Sequence, residues 1–368
     1  MNVPFLNLKA QLPKIRSEID TRFSSIIDNT AFVCGKEVKE FEEKFSELHS
    51  VSYTVGLSSG TDGNHVAMLC SGIGKGDEVI GPVNTFIATA EGVSHSGATP
   101  VFVDIGEKTY NIDVDKIDEK VTPRTKAINP VHLFGQPADL NPIKEIAKKN
   151  NLFVIEDAAQ AHLADYYNKR IGGIGDIASW SFYPGKNLGA WGEAGAFTTN
   201  DEEMYLKAKK MRDHGSGKKY YHDLIGHNYR MSEFQAAVLN VKMKYIEEWT
   251  EMRRKNAQRY NERLSDIEQV IVPLELQGVK HVYHLYVIRA KDRDKLQIFL
   301  KENGIGTGLH YPIPLHLTQA YAHLGYKKGE FPVAEKLANE ILSLPMYPEL
   351  TEEQIDYVCE KIKAFYKI

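Results

Sequence analysis

LFVIEDAAQAH, residues 152–162, is the stretch that decides the fold class. Its first four residues are an unbroken apolar run, and an acid, Asp157, stands two positions past them. A run that is apolar at every position suits a strand covered on both faces, as in a parallel sheet between helices. On its amino side lies the helix-like LNPIKEIAKKNN, and on its carboxyl side ASWSFY (178–183) is the next β-rich run. Toward the N-terminus, YTVGL (53–57), DEVIGP (77–82), TPVFVDI (99–105) and KAINPVHL (126–133) are further runs of this kind. TDGNHVAMLCSGI and NTFIATAEGVSHSG fall between them with helix-like character. Repeated strand, crossover helix and strand predict a doubly wound, mainly parallel α/β sheet, which binds ligands beyond the carboxyl ends of its strands.

From residue 233 the pattern changes to one long helical stretch, EFQAAVLNVKMKYIEEWTEMRRKNAQRYNERL. An alternating strand (HVYHLYVIRA, 281–290) and the helices DRDKLQIFLKENG and TEEQIDYVCEKIKAFY follow it. The expected division is a large α/β domain over 1–244 and a smaller α+β domain over 245–368, since 368 residues exceed what one core usually supports. The formal charge of 45 − 49 = −4 leaves no footprint for nucleic acid or an anionic membrane. No stretch reaches the ~18 apolar residues of a spanning helix, and the N-terminus has no apolar leader. Three scattered cysteines, Cys34, Cys70 and Cys359, fit a reducing compartment, so a cytoplasmic location is expected.

Two residues at strand ends invite chemistry. Asp157 suits either a ligand contact or the N-cap of a following helix. Lys186, in SFYPGKNLGAWGEAGA, is either a surface lysine or a desolvated nucleophilic amine. The phosphate-loop pattern fails there, because Trp180 stands where its first glycine belongs and Asn187 follows the lysine. Taken together they suit pyridoxal phosphate, which needs a lysine for its aldehyde and a carboxylate for its pyridine nitrogen. The 29 residues from Asp157 to Lys186 allow the chain to leave one strand and return along a neighbour. Ser59, Gly60 and Thr61 open a helix whose free N–H groups could hold a phosphate. Ser181 could add a hydroxyl, and Phe86 could stack on a planar ring. No metal site is expected. His281 and His284 would point to opposite faces of their strand, and no H-E-x-x-H or cysteine cluster exists. No G-x-G-x-x-G supports a nicotinamide cofactor.

SSGTDG, PVNTFIATA, PVHLFGQPADL, VIEDAAQAH, SFYPGKNLGA and GHNYRMSEFQAAVL together resemble the DegT/StrS-type nucleotide-sugar aminotransferases, from PFLNL near the start to HYPIPLHL at 310–317. The resemblance implies a fold-type I, pyridoxal-phosphate-dependent enzyme. It makes Lys186 the Schiff-base lysine and proton carrier, and Asp157 the partner of the pyridine nitrogen. Phe86 and Ala159 flank the ring, while Gly60, Thr61 and Ser181 hold the phosphate. Gln160 lies near the cofactor's 3′-hydroxyl or the sugar. Asn228 reaches the phosphate of the other subunit, which implies a homodimer with shared sites. Lys219, in a pattern shared with Tyr220 and His222, meets the substrate's pyrophosphate, whereas Lys207, Lys209, Lys210 and Arg212 read as a solvated helix face. His310 and Tyr311 reach the sugar from the small domain. Tyr183 and Gln160 are similar to the branch that aminates C-3 of a dTDP-3-keto-6-deoxyhexose, with L-glutamate as donor and 2-oxoglutarate as by-product. The rivals are amination at C-4 of a UDP- or dTDP-4-keto sugar and a cofactor-binding regulatory protein without turnover. Leu163, Trp191 and Gly63 depart from the family pattern, and Trp191 is expected near the sugar.

Overall fold

The structure is a computed structural model that describes residues 1–368. Two helices, α1 (Leu12–Asp28) and α2 (Lys36–His49), precede a seven-stranded sheet. Its strands in chain order are β1 (Tyr53–Leu57), β2 (Glu78–Pro82), β3 (Thr99–Val103), β4 (Thr125–Ile128), β5 (Phe153–Asp157), β6 (Ile177–Ser181) and β7 (Gly195–Thr199). Their spatial order is β1-β7-β6-β5-β4-β2-β3. Only β7 runs against its neighbours, pairing antiparallel with both β1 and β6. The remaining neighbours are parallel, as the apolar runs predict.

Helices cover both faces of this sheet: the crossovers α3 (Gly60–Cys70), α4 (Ile87–His95) and α5 (Leu140–Asn150), and after the last strand α6 (Glu202–Arg212) and α7 (Glu233–Lys242). Successive residues of one strand go to opposite cores. Ile177 joins Val55, Leu57 and Val66 on the α3 side, while Ala178 and Trp180 join Phe41, Phe45 and Leu239 on the α2/α7 side. Each fully buried large side chain in these clusters contributes roughly 1.5–3 kcal/mol by leaving water. That is why a sheet with two covered faces needs apolar residues at consecutive positions.

The C-terminal part has a three-stranded antiparallel sheet of β8 (Val270–Ile271), β9 (Tyr286–Ala290) and β10 (Ile341–Leu344). Helices α8 (Ile246–Leu264), α9 (Arg293–Glu302), α10 (Pro332–Glu340) and α11 (Glu352–Tyr366) accompany it. Its core gathers Tyr260, Tyr286, Leu296, Leu342 and Ile355. Val3 enters the same cluster, with its N–H donating to Gly304 O at 2.8 Å.

Three expectations need correction. The single helix from residue 233 is two, α7 and α8, parted at Met243–Tyr245 by tight bonds from Lys244 N to Val241 O and from Tyr245 N to Lys242 O. The periodic pattern continues across the break and hides it. The strand expected over 281–290 begins only at Tyr286. Tyr283 sits at φ +43°, and the His281 ring stacks on it at 4.0 Å, so residues 281–285 cannot continue the ladder. The opposite-faces argument about His281 and His284 therefore does not apply. The third is β7, a strand over residues 195–199, where no element is expected from the sequence.

Candidate active site

The carboxyl ends of β1, β2, β4, β5 and β6 converge on one cavity of about 670 Å³. Ser59, Gly60 and Thr61 follow β1, Thr85 and Phe86 follow β2, Val131 follows β4, Asp157 ends β5, and Ser181 ends β6. Lys186 lies in the turn after β6, its N–H donating to Tyr183 O at 2.8 Å. Gln160, Ala159, Tyr183, His310 and Tyr311 complete the set expected from the sequence within this cavity.

Asp157 is 4% exposed, and its carboxylate is fully engaged. Oδ2 accepts from Thr89 Oγ1 at 2.7 Å and Asn64 Nδ2 at 3.1 Å, and Oδ1 accepts from Ala159 N at 3.2 Å. Asn64 is fixed in turn, because its Oδ1 accepts from Ser179 Oγ at 2.8 Å. Asn64 sits one turn past Gly60 on α3, and Thr89 in the first turn of α4, so both crossover helices aim a donor at the same acid. These three donors keep a buried charge compensated.

Helix α3 starts where an anion site would be useful. Ser59 caps it, its Oγ accepting from Asp62 N at 3.1 Å. The N–H groups of Gly60 and Thr61 have no carbonyl one turn back within the helix to reach. Gly60 lies so close to β6 that an added Cβ would stand 2.7 Å from Ser181 Cβ. The missing side chain lets the helix terminus and the Ser181 hydroxyl share one concavity.

Lys186 is the only lysine or arginine lining the cavity, and its amine has no ion-pair partner. Burial lowers it from 10.5 to about 8, while the carboxylate of Asp157 pulls in the opposite direction. A lysine in that state has a sizeable neutral, nucleophilic fraction near pH 7. Burial, and then the nearby Lys186 charge, lowers His310 to about 4 and takes His284 well below the usual imidazole range. Both rings are thus neutral hydrogen-bonding groups at neutral pH.

On the C-terminal side, Ser343 Oγ lies 2.8 Å from His310 Nδ1, holding the ring by one nitrogen. Gln160 bridges two segments: Oε1 accepts from Phe134 N at 2.7 Å, and Nε2 donates to Tyr311 Oη at 3.1 Å. Burial raises the Tyr311 phenol, so it stays protonated. The Phe86 ring is 54% exposed at the cavity, 5.7 Å from the Tyr311 ring. An amine nucleophile, a compensated buried carboxylate, an anion cradle and a flat aromatic surface therefore face one space.

Lys219 and Asn228 are exposed, on the segment between α6 and α7, and do not line this cavity within one chain. The Lys219 amine lies over the Tyr220 ring at 5.1 Å. Trp191 does not line the cavity either: it packs edge-on against Phe23 of α1, in a cluster with Ile15, Ile19 and Trp249. Leu163 is fully buried at φ +66°, a left-handed conformation that glycine would adopt without the Cβ penalty. At Gly63 a Cβ would come 2.9 Å from Ala196 O, so the absent methyl relieves a tight approach of α3 to β7. Sequence reading missed Asn64, Thr85, Thr89, Glu193 and His284. For Asn64 and Thr89 the helical offset from Gly60 and Phe86 was an available signal; for His284 there was none.

The DegT/DnrJ/EryC1/StrS aminotransferase family profile matches residues 13–363. A "Pleiotropic regulatory protein" of Geobacillus stearothermophilus is 48% identical over 369 residues, 100% of this chain and 99% of its own. The dTDP-3-amino-3,6-dideoxy-alpha-D-galactopyranose transaminase of Aneurinibacillus thermoaerophilus is 42% identical, covering 99% of each chain. Among solved structures, S. venezuelae DesV in complex with a ketimine intermediate superposes with a TM-score of 0.98. It is 39% identical, over 100% of this chain and 99% of that one.

Proposed function

The chain belongs to the DegT/DnrJ/EryC1/StrS aminotransferase family and is a sugar aminotransferase, and from that premise we propose that it converts a dTDP-3-keto-6-deoxyhexose to the 3-amino-3,6-dideoxyhexose, with pyridoxal phosphate as cofactor and L-glutamate as amino donor. The observation that carries this reading is the placement of Lys186 as the lone cation in a cavity whose depth holds Asp157. The residues present fit the cofactor. Asp157 offers a buried carboxylate for a ring nitrogen, Phe86 and Ala159 offer apolar surface for ring faces, and Gly60, Thr61 and Ser181 offer donors for a phosphate. Under this reading the protein works as a homodimer, with Asn228 of the partner subunit reaching toward that phosphate.

When bound, pyridoxal phosphate supplies an aldehyde for the Lys186 amine and an electron-accepting ring. The chain's own residues do the rest. Lys186 Nζ takes the proton from the donor's α-carbon in one half-reaction and delivers one to C-3 of the sugar in the other. An amine tuned to about 8 is suited to both transfers near neutral pH. Asp157, held by Thr89, Asn64 and Ala159, keeps a fixed negative charge where ring protonation must be maintained. Tyr183, Gln160, His310 and Tyr311 supply the polar contacts that orient the hexose, and Lys219 supplies a cation for the pyrophosphate. The C-3 assignment draws support from Tyr183 and Gln160 and from the name of the Aneurinibacillus relative.

The test is the visible absorbance of the cofactor-loaded protein. A band lost with L-glutamate should return with dTDP-3-keto-6-deoxyglucose. Return only with a 4-keto sugar would overturn the carbon assignment. The Geobacillus relative's name favours a second reading, a regulatory role beside amination. Lys186→Ala separates the two, since it should abolish amination and leave a regulatory role intact.

A further inference from the structure

Glu193 is the charged group of the cavity that the reading above leaves unused. It stands just before β7. Ser181 of β6 pairs with Gly195 of β7, and Phe182 N donates to Ala194 O at 2.8 Å, where the ladder ends. Glu193, Ser181 and Tyr183 all line the cavity.

Its carboxylate is exposed, with no hydrogen bond or ion pair to any group of the chain. Asp157, the other carboxylate of the lining, is buried and already accepts three hydrogen bonds. The lining contains no arginine, and its one lysine is Lys186. Glu193 is thus an acceptor-only group lining a space that holds little positive charge to offset a second anion. Hydroxyl donors suit such a group, and a substrate carboxylate would be repelled by it.

We propose that Glu193 is a specificity-determining residue, accepting a hydrogen bond from a hydroxyl of the hexose and discriminating against sugars that carry a carboxylate at C-6. The inference rests on the nucleotide-sugar reading above and deepens it. The two parts of the role separate by substitution. Glu193→Gln keeps an acceptor and removes the charge, whereas Glu193→Ala removes both.

The test compares a neutral 3-keto-6-deoxyhexose with the corresponding 3-keto-hexuronate on the same nucleotide. Glu193→Gln should raise kcat/KM for the uronate about fivefold, the scale of a like-charge contact near solvent, and change the neutral sugar less than about twofold. Glu193→Ala should raise KM for the neutral sugar about fivefold, the scale of one lost hydrogen bond, with kcat retained. The half-reaction with L-glutamate is the control. If Glu193→Gln speeds it as much as the uronate, the effect is a general field and the proposal falls. An unchanged ratio of the two sugars also overturns it. If the protein aminates only 4-keto sugars, the C-3 reading fails, but the same pair built on the 4-keto frame still tests Glu193. If neither sugar turns over, calorimetric binding of the amino-hexose and amino-uronate products gives the same ratio.

Discussion

An ordinary lysine is almost entirely protonated at neutral pH, and Lys186 should not be. Its value of about 8, against 10.5 for a solvated amine, follows first from burial, with Asp157 opposing the shift. At pH 7 those two values give neutral fractions of about 1 in 10 and about 1 in 3,000, a difference of roughly 300-fold in available nucleophile. The sign follows from the depressed value: the neutral form gains with rising pH and levels off above about 8, where an ordinary lysine would still be climbing. The assay labels the cofactor-free protein with a limiting neutral aldehyde and a mild hydride reductant over pH 6–11, then quantifies each modified lysine by peptide mass spectrometry. Lys39, exposed on α2, is an internal reference. Asp157→Asn removes the group that holds the value up, so the plateau should move to lower pH and labelling at pH 7 should increase. A Lys186 profile that rises to pH 10 like Lys39, or one that Asp157→Asn shifts upward, would refute the electrostatic reasoning.

Three further outcomes follow from the geometry. Thr89→Val keeps the shape of the side chain but deletes the 2.7 Å donor to Asp157, and hydrogen bonds to charged groups are worth about 1.5–3 kcal/mol. Cofactor affinity measured by titration should therefore fall by roughly tenfold to a hundredfold. Gly60→Ala places a methyl 2.7 Å from Ser181 Cβ, so it should impair binding of the phosphate group while leaving the far-ultraviolet dichroism unchanged. Glu156 is fully buried and accepts from Gly172, Ile174 and Gly175 N–H, with His132 Nε2 at 2.9 Å. Glu156→Ala should then lower the denaturation free energy by about 3–5 kcal/mol in a urea titration, since it strips a whole set of buried partners at once.

The residues that sit at strand ends were legible in the sequence because their strands announce themselves. Uninterrupted apolar runs such as LFVI mark buried parallel strands, and the residues just past them are where such a sheet must expose chemistry. Asp157, Lys186, Gly60 and Phe86 come out of that rule together with what the cofactor demands. β7 did not, because GAFTT carries no strong β pattern and its place is set by long-range pairing to β1 and β6. The break at Met243–Tyr245 was invisible for the opposite reason, since helical periodicity runs through it. Asn64 and Thr89 hold Asp157, a relation that needs α3 and α4 to be packed before it exists. Trp191 went to α1 rather than the sugar because an aromatic beside a loop says nothing about which apolar cluster will claim it. His284 reaches the cavity only because Tyr283 turns the chain out of the strand.

The central claim is that this chain moves an amino group onto C-3 of a nucleotide-linked hexose by means of Lys186. Cofactor-loaded protein should be incubated with ¹⁵N-labelled L-glutamate and dTDP-3-keto-6-deoxyglucose, and the product examined by nuclear magnetic resonance. The account predicts ¹⁵N bonded at C-3 with the wild type and no labelled sugar with Lys186→Ala. Label at C-4, or an unlabelled sugar from the wild type, would contradict it.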